Sequence, residues 1–458
     1  MVKKILLALS IFVFTEKVFS QTNQQLGLVS GPMLGNLQHR TASIWIETDP
    51  NVSVAEIRYF PADTPAHIFK SMAGNLFSSG FNPITFTLTA LEPGVRYNYE
   101  IWINQKKLSF DYPLTFKTRE LWEYRKQAPA FSFLCGSCMY INDSIYDRPG
   151  KPYGQSTKIL KTMASDTADF NIWDGDNLYF REVDYSSPWG MAYRYHHDRA
   201  VPDLQPLLAR MPQYAIWDDH DYGPNDADKS FTLKNESLNL SEKYWMNPTY
   251  GQHESSGNYT SFSWSDCDFF LTDSRWFRAN DDYPDSLNGK PNPEKTFFGT
   301  EQMNWLENAL LYSNATFKFI VSGSQVLNEM NHSECLNAYT FEYNQLMDFI
   351  RDNKISGVVF LTGDRHFSEL IVQKNNTTYP LYDFTCSPLT SSPYAGVTKT
   401  AEANNPQRVP NCLAAVNNYG KISVSGAKGE RKLTFACYDE KKTLLFSYSV
   451  NAVDLKAH

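Results

Sequence analysis

Phe170-Asn171-Ile172-Trp173-Asp174-Gly175-Asp176-Asn177-Leu178-Tyr179 is the stretch on which the fold turns. Its apolar part is too short for a helix, and it breaks at Gly175 into side chains that ligate metals or hold protons. A buried strand running into a polar loop explains both halves. The same texture recurs at Leu134-Cys135-Gly136-Ser137-Cys138, at Trp217-Asp218-Asp219-His220-Asp221 and at Gly363-Asp364-Arg365-His366. Ligands of α/β sheets sit beyond the carboxyl ends of the strands, so these loops are expected to converge. One strand ending in Gly-Asp is common, whereas four ends loaded with Asp, His, Cys and Tyr are not a chance outcome. Working outward, strands are expected over 131–134, 170–173, 214–217, 269–272, 318–321 and 358–362, and helices over 157–168, 300–312 and 339–352. That alternation is the pattern of an α/β layered core. A closing hairpin is expected from 433–438 and 444–450. Residues 222–262, rich in Asn, Asp, Ser, Gly and Trp, read as a long surface insertion over a site.

The chain has 458 residues, a net charge of −8, 42% hydrophobic and 20% charged residues. This is the balance of a chain that buries a large core rather than one that stays disordered. The acidic balance argues against nucleic-acid binding. With only nine histidines and seven cysteines, a metal site has to lean on carboxylates. Lys3 and Lys4 precede an apolar run that ends near Phe14, with Val18 and Ser20 before Gln21. Residues 1–20 therefore read as a signal peptide, too short to span a bilayer, and an exported protein is expected. No other apolar run is long enough for a membrane span. Residues 27–118 read as a separate all-β sandwich: strands alternate around 42–47, 57–60 and 84–89. Leu91-Glu92-Pro93-Gly94 followed by Tyr97 resembles the tyrosine-corner stretch of fibronectin type III-like domains. The catalytic part is expected over 128–458.

The four motifs, in this order, resemble those of the PhoD-like alkaline phosphatases, a family of the calcineurin-like metallophosphatase superfamily. Phe269-Phe270-Leu271-Thr272-Asp273-Ser274-Arg275 resembles a family stretch between the third and last motifs. The resemblance implies a metallophosphatase-type layered β-sandwich flanked by helices, behind the small β-sandwich. It implies hydrolysis of a small phosphate ester by a metal-activated hydroxide, with iron (Fe3+) and calcium as cofactors and other divalent metals left open. Cys138, Asp176, Tyr179 and His366 match the iron shell, with Asp176 shared between two metals. Asp219 and Asp364 stand at positions of a harder second site. Two metals about 3.5–4 Å apart activate water and neutralise phosphate oxygens. His220 matches the histidine that assists catalysis near the leaving group. Arg275 is the second catalytic candidate, either holding phosphate or pairing with a carboxylate. Where relatives carry a histidine ligand after the strand at 318–321, this chain has Gly323-Ser324-Gln325, and Gln325 either lends its carbonyl oxygen or leaves that position without a ligand. A monomer is expected.

Other readings remain beside these. Cys135-x-x-Cys138 also fits a disulfide or a redox pair. If Cys138 is a ligand, the remaining six cysteines form an even set that export would allow to pair. Asp218 and Asp221 are candidates to orient His220, and Arg194, His196, His197 and Arg365 to reach substrate or to form surface pairs. A phosphodiesterase acting on cell-wall, lipid or nucleotide diesters is the nearest rival function. A non-catalytic adhesion protein built on the β-sandwich is the remote one.

Overall fold

The computed structural model describes residues 26–74, 80–252, 256–375 and 377–458; the expected signal peptide lies outside them. The chain forms two compact units. One runs to Leu121 and includes Arg199–Pro212; the other comprises Trp122–Asp198 and Gln213–His458.

In the first unit Leu28–Leu37, Ala42–Thr48 and Asn82–Leu88 form one antiparallel sheet. Phe69–Gly74, Val54–Pro61 and Arg96–Ile103 form a second, joined by Lys106–Lys107 and Thr115–Lys117. Residues alternate between buried and exposed along Asn82–Leu88 and Arg96–Ile103, as strands with one covered face must. Tyr97 closes the corner expected of it, its hydroxyl accepting the Glu92 N–H at 2.9 Å. The helix Gln205–Arg210 packs against Leu28–Leu37, and Gln205 Oε1 accepts the Gly31 N–H at 2.7 Å. The sequence pattern gave no sign of this return of the chain.

The second unit is a sandwich of two mixed sheets. In the first, Gln213–Ile216, Phe170–Asp174 and Phe131–Gly136 run parallel. They continue antiparallel into Asn418–Ser425, Lys432–Asp439 and Leu444–Asn451. In the second, Thr260–Trp264 is followed by the parallel set Cys267–Leu271, Phe317–Ser322, Val358–Thr362 and Leu381–Thr385, then by Ser368–Gln373 and Arg408–Ala414. Phenylalanine rings join the sheets: Phe133 stacks on Phe170 at 4.9 Å and meets Phe269 and Phe319 edge-on at 5.2 and 5.4 Å. The helices Gly299–Tyr312 and Thr340–Asp352 lie where their apolar spacing placed them, while the earlier one is shorter, Lys158–Ala164.

Residues 222–262 are not a loose surface insertion. They contain the helix Lys234–Tyr244 and end in the strand Thr260–Trp264. Trp245 is buried against Trp173 at 5.7 Å. The Asn247 side chain exchanges hydrogen bonds with both backbone groups of Ala215 (2.7 and 3.1 Å), occupying the open edge of the outermost strand. All seven cysteines are free and buried, so the six that the sequence left as an even set do not pair. Among the described residues no helix is long and apolar enough to cross a membrane.

Candidate metal centre

Every parallel strand that carries a motif delivers it at its carboxyl end, and the loops beyond are tied to one another by main-chain bonds. Cys138 N–H donates to Gly175 O at 3.3 Å, Met139 N–H to Asp176 O at 2.8 Å, Phe180 N–H to His220 O at 3.0 Å and Gly363 N–H to Gly323 O at 3.0 Å. The turns are tight enough to need left-handed backbone. Cys138, Asp176, Asp364 and His366 have φ of 59, 51, 69 and 57°, a conformation that L-residues other than Asn and Asp adopt rarely. Gly175 sits at φ +94°, and a Cβ there would lie 2.9 Å from Asp218 Cβ.

Cys138, Asp176 and His366 bring ligand atoms within 4.8 Å of one another. The Tyr179 hydroxyl joins them, 3.2 Å from Asp176 Oδ2 and 3.3 Å from His366 Nε2. The other ring nitrogen, His366 Nδ1, lies 2.9 Å from the Ser392 carbonyl and 3.0 Å from the Tyr153 hydroxyl. A proton on Nδ1 directed at that carbonyl leaves Nε2 free as a donor atom toward the cluster. Asp176 belongs also to a second group with Asp219 and His220, and Asp219 to a third with Asp226 and Glu334. Asp226 and Glu334 were not singled out by the sequence. Both have positive φ, 58 and 51°, and the Asp226 N–H donates to Asp219 Oδ2 at 2.8 Å. Asp364 is not in any of these groups; it feels the charges of Glu334, Asp218 and Asp219, opposed by that of Arg365.

The electrostatics are those of a site short of positive charge. Burial, and after it the Asp219 charge, hold the Asp176 carboxyl well above the usual range. Burial followed by Glu334 does the same for Asp364. Burial pushes the Cys138 thiol up to about 12 although Ser137 and Ser387 hydrogen-bond to it. Burial opposes ionisation of Asp219 too, but His220 and Arg275 outweigh it and bring its pKa down. A cation among these donors restores the ionised forms that like charges and burial disfavour. Thiolate, phenolate, imidazole and carboxylate together suit iron, while the all-carboxylate group of Asp219, Asp226 and Glu334 suits a harder ion such as calcium. These groups are therefore candidate metal-binding clusters.

Arg275 is engaged with carboxylates. It is wholly buried, its Nε donating to Asp218 Oδ1 at 2.5 Å and its Nη2 to Glu334 Oε1 at 3.0 Å. Of its two expected uses, the carboxylate pair is present. Asp218 is held further by Ser274 and Ser324 at 2.8 and 3.1 Å. Asp221 binds the Asp218 and Asn177 N–H groups at 2.6 and 3.1 Å rather than the His220 ring. Gln325 is spent away from the cluster: its amide donates to Glu369 and Thr385 and accepts from Asn328, all within 2.9 Å. Arg194 is buried with Asp184 at 2.9 Å, and Arg365 donates to both oxygens of Glu402.

A layered α/β sandwich with this cluster beyond its parallel strand ends defines a metallophosphatase-like fold. The PhoD-like phosphatase family matches residues 145–435, and the chain belongs to that family. A second family, a domain of unknown function (DUF7800), matches residues 25–120. Alkaline phosphatase D of Bacillus subtilis (strain 168) is 25% identical over 332 residues, covering 61% of this chain and 52% of that protein, so the chain spans about half the length of this curated relative. A solved structure of PhoD superposes with a TM-score of 0.72 at 17% identity, over 96% of this chain and 92% of that one. The purple acid phosphatase PPD1 from yellow lupin seeds gives 0.64 at 12% identity, over 92% and 74%. At those identities the two structures speak for the fold alone.

Proposed function

We propose that this protein is an exported, metal-dependent phosphohydrolase of small phosphate esters. The observation that carries this reading is the position of Asp176. It is shared by a Cys–Tyr–His group on one side and a carboxylate–histidine group on the other, as a bridging ligand must be. Cys138, Asp176, Tyr179 and His366 would hold iron; Asp176 and Asp219, with Asp226 and Glu334, would hold a harder cation, and Asp364 contributes charge beside them. Bound there, the metals supply an activated water and neutralise the phosphate oxygens.

The protein's own groups do the rest. His220 is held by its main chain, whose N–H donates to Asp176 Oδ1 at 3.3 Å, and by its ring, 4.1 Å from that of Tyr179. Burial lowers its pKa below the usual 6.5. It donates a proton to the departing oxygen or orients it. Arg275 is a positioning residue that fixes Asp218 and Glu334. No covalent enzyme intermediate is required.

The test is elemental analysis of purified protein, followed by phosphate release from a monoester and a diester of nitrophenol. Asp176→Ala is expected to lose most bound metal of both kinds and at least 100-fold in kcat. Full activity and full metal content in that variant would overturn the mechanism. Export is tested by the N-terminal sequence of protein recovered outside the cytoplasm, expected to begin near Gln21.

A further inference from the structure

We propose that the cleft beside the metal centre binds a planar aromatic ring on the organic group of the ester, with Tyr153 and Tyr394 as the specificity-determining residues. The inference rests on the phosphohydrolase reading and adds a substrate class to it. The cleft, open and of about 370 Å³, is lined by Tyr153, Asp364, Arg365, His366, Ser392, Pro393 and Tyr394. It adjoins His366 directly, so an ester whose phosphate sits at the metals has a path past these side chains for its organic part.

Two features give the cleft a chemical preference. The first is its aromatic walls. Tyr153 and Tyr394 are 43% and 46% exposed, a large exposure for rings that are otherwise fixed. Tyr153 is backed edge-on by Tyr140 at 5.1 Å and lies 5.8 Å from the His366 ring. The Tyr394 ring folds over Gly396, where a Cβ would come within 2.6 Å of it, and its N–H donates to His366 O at 2.8 Å. Ser392, two residues before Tyr394 in the chain, donates its hydroxyl to Tyr153 O at 2.7 Å and accepts from Gln155 Nε2 at 2.9 Å. These bonds hold the main chain at Tyr153 and Tyr394 in place before substrate arrives, which lowers the ordering cost of binding.

The second feature is charge. The one arginine of the lining, Arg365, is paired with Glu402 at 2.7 and 2.9 Å and lies over the Phe367 ring at 5.4 Å. With Asp364 beside it, the lining offers no uncommitted guanidinium to an anionic organic group such as a second phosphate or a carboxylate. Tyrosine faces without a spare cation select an uncharged ring, a nucleobase or an aryl group, by stacking.

The experiment compares matched substrates, so that reactivity of the ester does not enter. Adenosine 5′-monophosphate is paired with ribose 5-phosphate, and benzyl phosphate with ethyl phosphate, on metal-loaded full-length protein. In each pair the ratio of kcat/KM, aromatic over non-aromatic, is measured for the parent, Tyr394→Ala, Tyr394→Phe and Tyr153→Ala. At least one ratio is expected to fall about tenfold in Tyr394→Ala, through KM, and to return in Tyr394→Phe, which keeps the ring. A fall in the first pair identifies a nucleobase as the ring bound, and a fall in the second an aryl group at the ester. Because Tyr153 touches His366, metal content accompanies its variant. Both ratios unchanged in both alanine variants, with the parent hydrolysing all four esters, would overturn this inference and leave the phosphohydrolase reading standing. A parent that binds metal and hydrolyses none of the four would overturn both.

Discussion

Six acidic, sulfur or imidazole side chains at the centre, Cys138, Asp176, Asp226, Glu334, Asp364 and His366, share left-handed backbone. Such residues cost on the order of 1–3 kcal/mol each and persist where the surrounding structure over-determines them. Asp364 adds repulsion from Glu334, Asp218 and Asp219. Replacing it by glycine removes both penalties. In metal-stripped protein Asp364→Gly is expected to raise the unfolding free energy by about 1 kcal/mol, while lowering turnover in metal-loaded protein. Chemical denaturation after chelation checks the first half, and a loss of stability there would show that the turn is not strained. The motif residues were legible in the sequence because their loops follow strands directly. Asp226 and Glu334 were not, because each sits in a long connection with no adjoining apolar run. Their signal is the three-dimensional one of a positive φ beside an Asp219 that needs neighbours. Arg275 was legible as important but not as buried, since a sequence does not tell a guanidinium that meets substrate from one that meets Asp218.

At the scale of elements, the strand ends are braced by buried charge pairs. Asp218 receives Arg275, Ser274 and Ser324 and lies under Gly323, where a Cβ would come 2.6 Å from Asp218 Cγ. Asp218→Ala leaves the buried Arg275 with one carboxylate fewer and is expected to cost about 3–5 kcal/mol, read as a fall in denaturation midpoint. The helix Pro188–Arg199 carries a second brace. The His197 ring lies 2.7 Å from Asp198 Oδ1, and that hydrogen bond, against burial, raises its pKa above 6.5. A raised folded value means that the stabilisation is full below pH 6.5 and is lost as pH climbs through the folded pKa. His197→Asn should therefore flatten the decline of stability from pH 6 to pH 9; an identical pH profile in parent and variant would remove His197 from the account. In the larger unit the strands that were expected lie within two residues of their sequence positions, since parallel strands covered on both faces give continuous apolar runs. Leu381–Thr385, broken by Asp383, and Thr260–Trp264, Ser368–Gln373, Arg408–Ala414 and Asn418–Ser425 carry no such run and were not legible. The 222–262 region was misread because its helix Lys234–Tyr244 buries serines as well as leucines. Ser237 and Ser241 are both inside, so polar composition does not report exposure.

At the scale of the molecule, the sequence suggests a small β-sandwich over 27–118 followed by a catalytic part over 128–458. The covalent path is more involved. The chain leaves the larger unit at Asp198, contributes Arg199–Pro212 to the smaller one, and returns at Gln213. In that excursion Leu204, Leu207 and Leu208 are buried, and Gln205 holds Gly31. Such a short helix has little stability of its own and is held by the strand it packs on. A fragment starting at Trp122 keeps every candidate metal ligand but strands this excursion without Leu28–Leu37. Its leucines are then exposed, each losing about 1.5–3 kcal/mol of burial, in the middle of the catalytic chain and directly before the strand Gln213–Ile216 that delivers Asp219 and His220. The 122–458 fragment is therefore expected to be recovered mostly as aggregate, or to melt several degrees below the full chain. Replacing Leu207 and Leu208 by Ser and Lys in the fragment should restore part of its solubility. A fragment that is soluble, melts with the full chain and needs no such substitution would show that the excursion is passive and that the two units are separable.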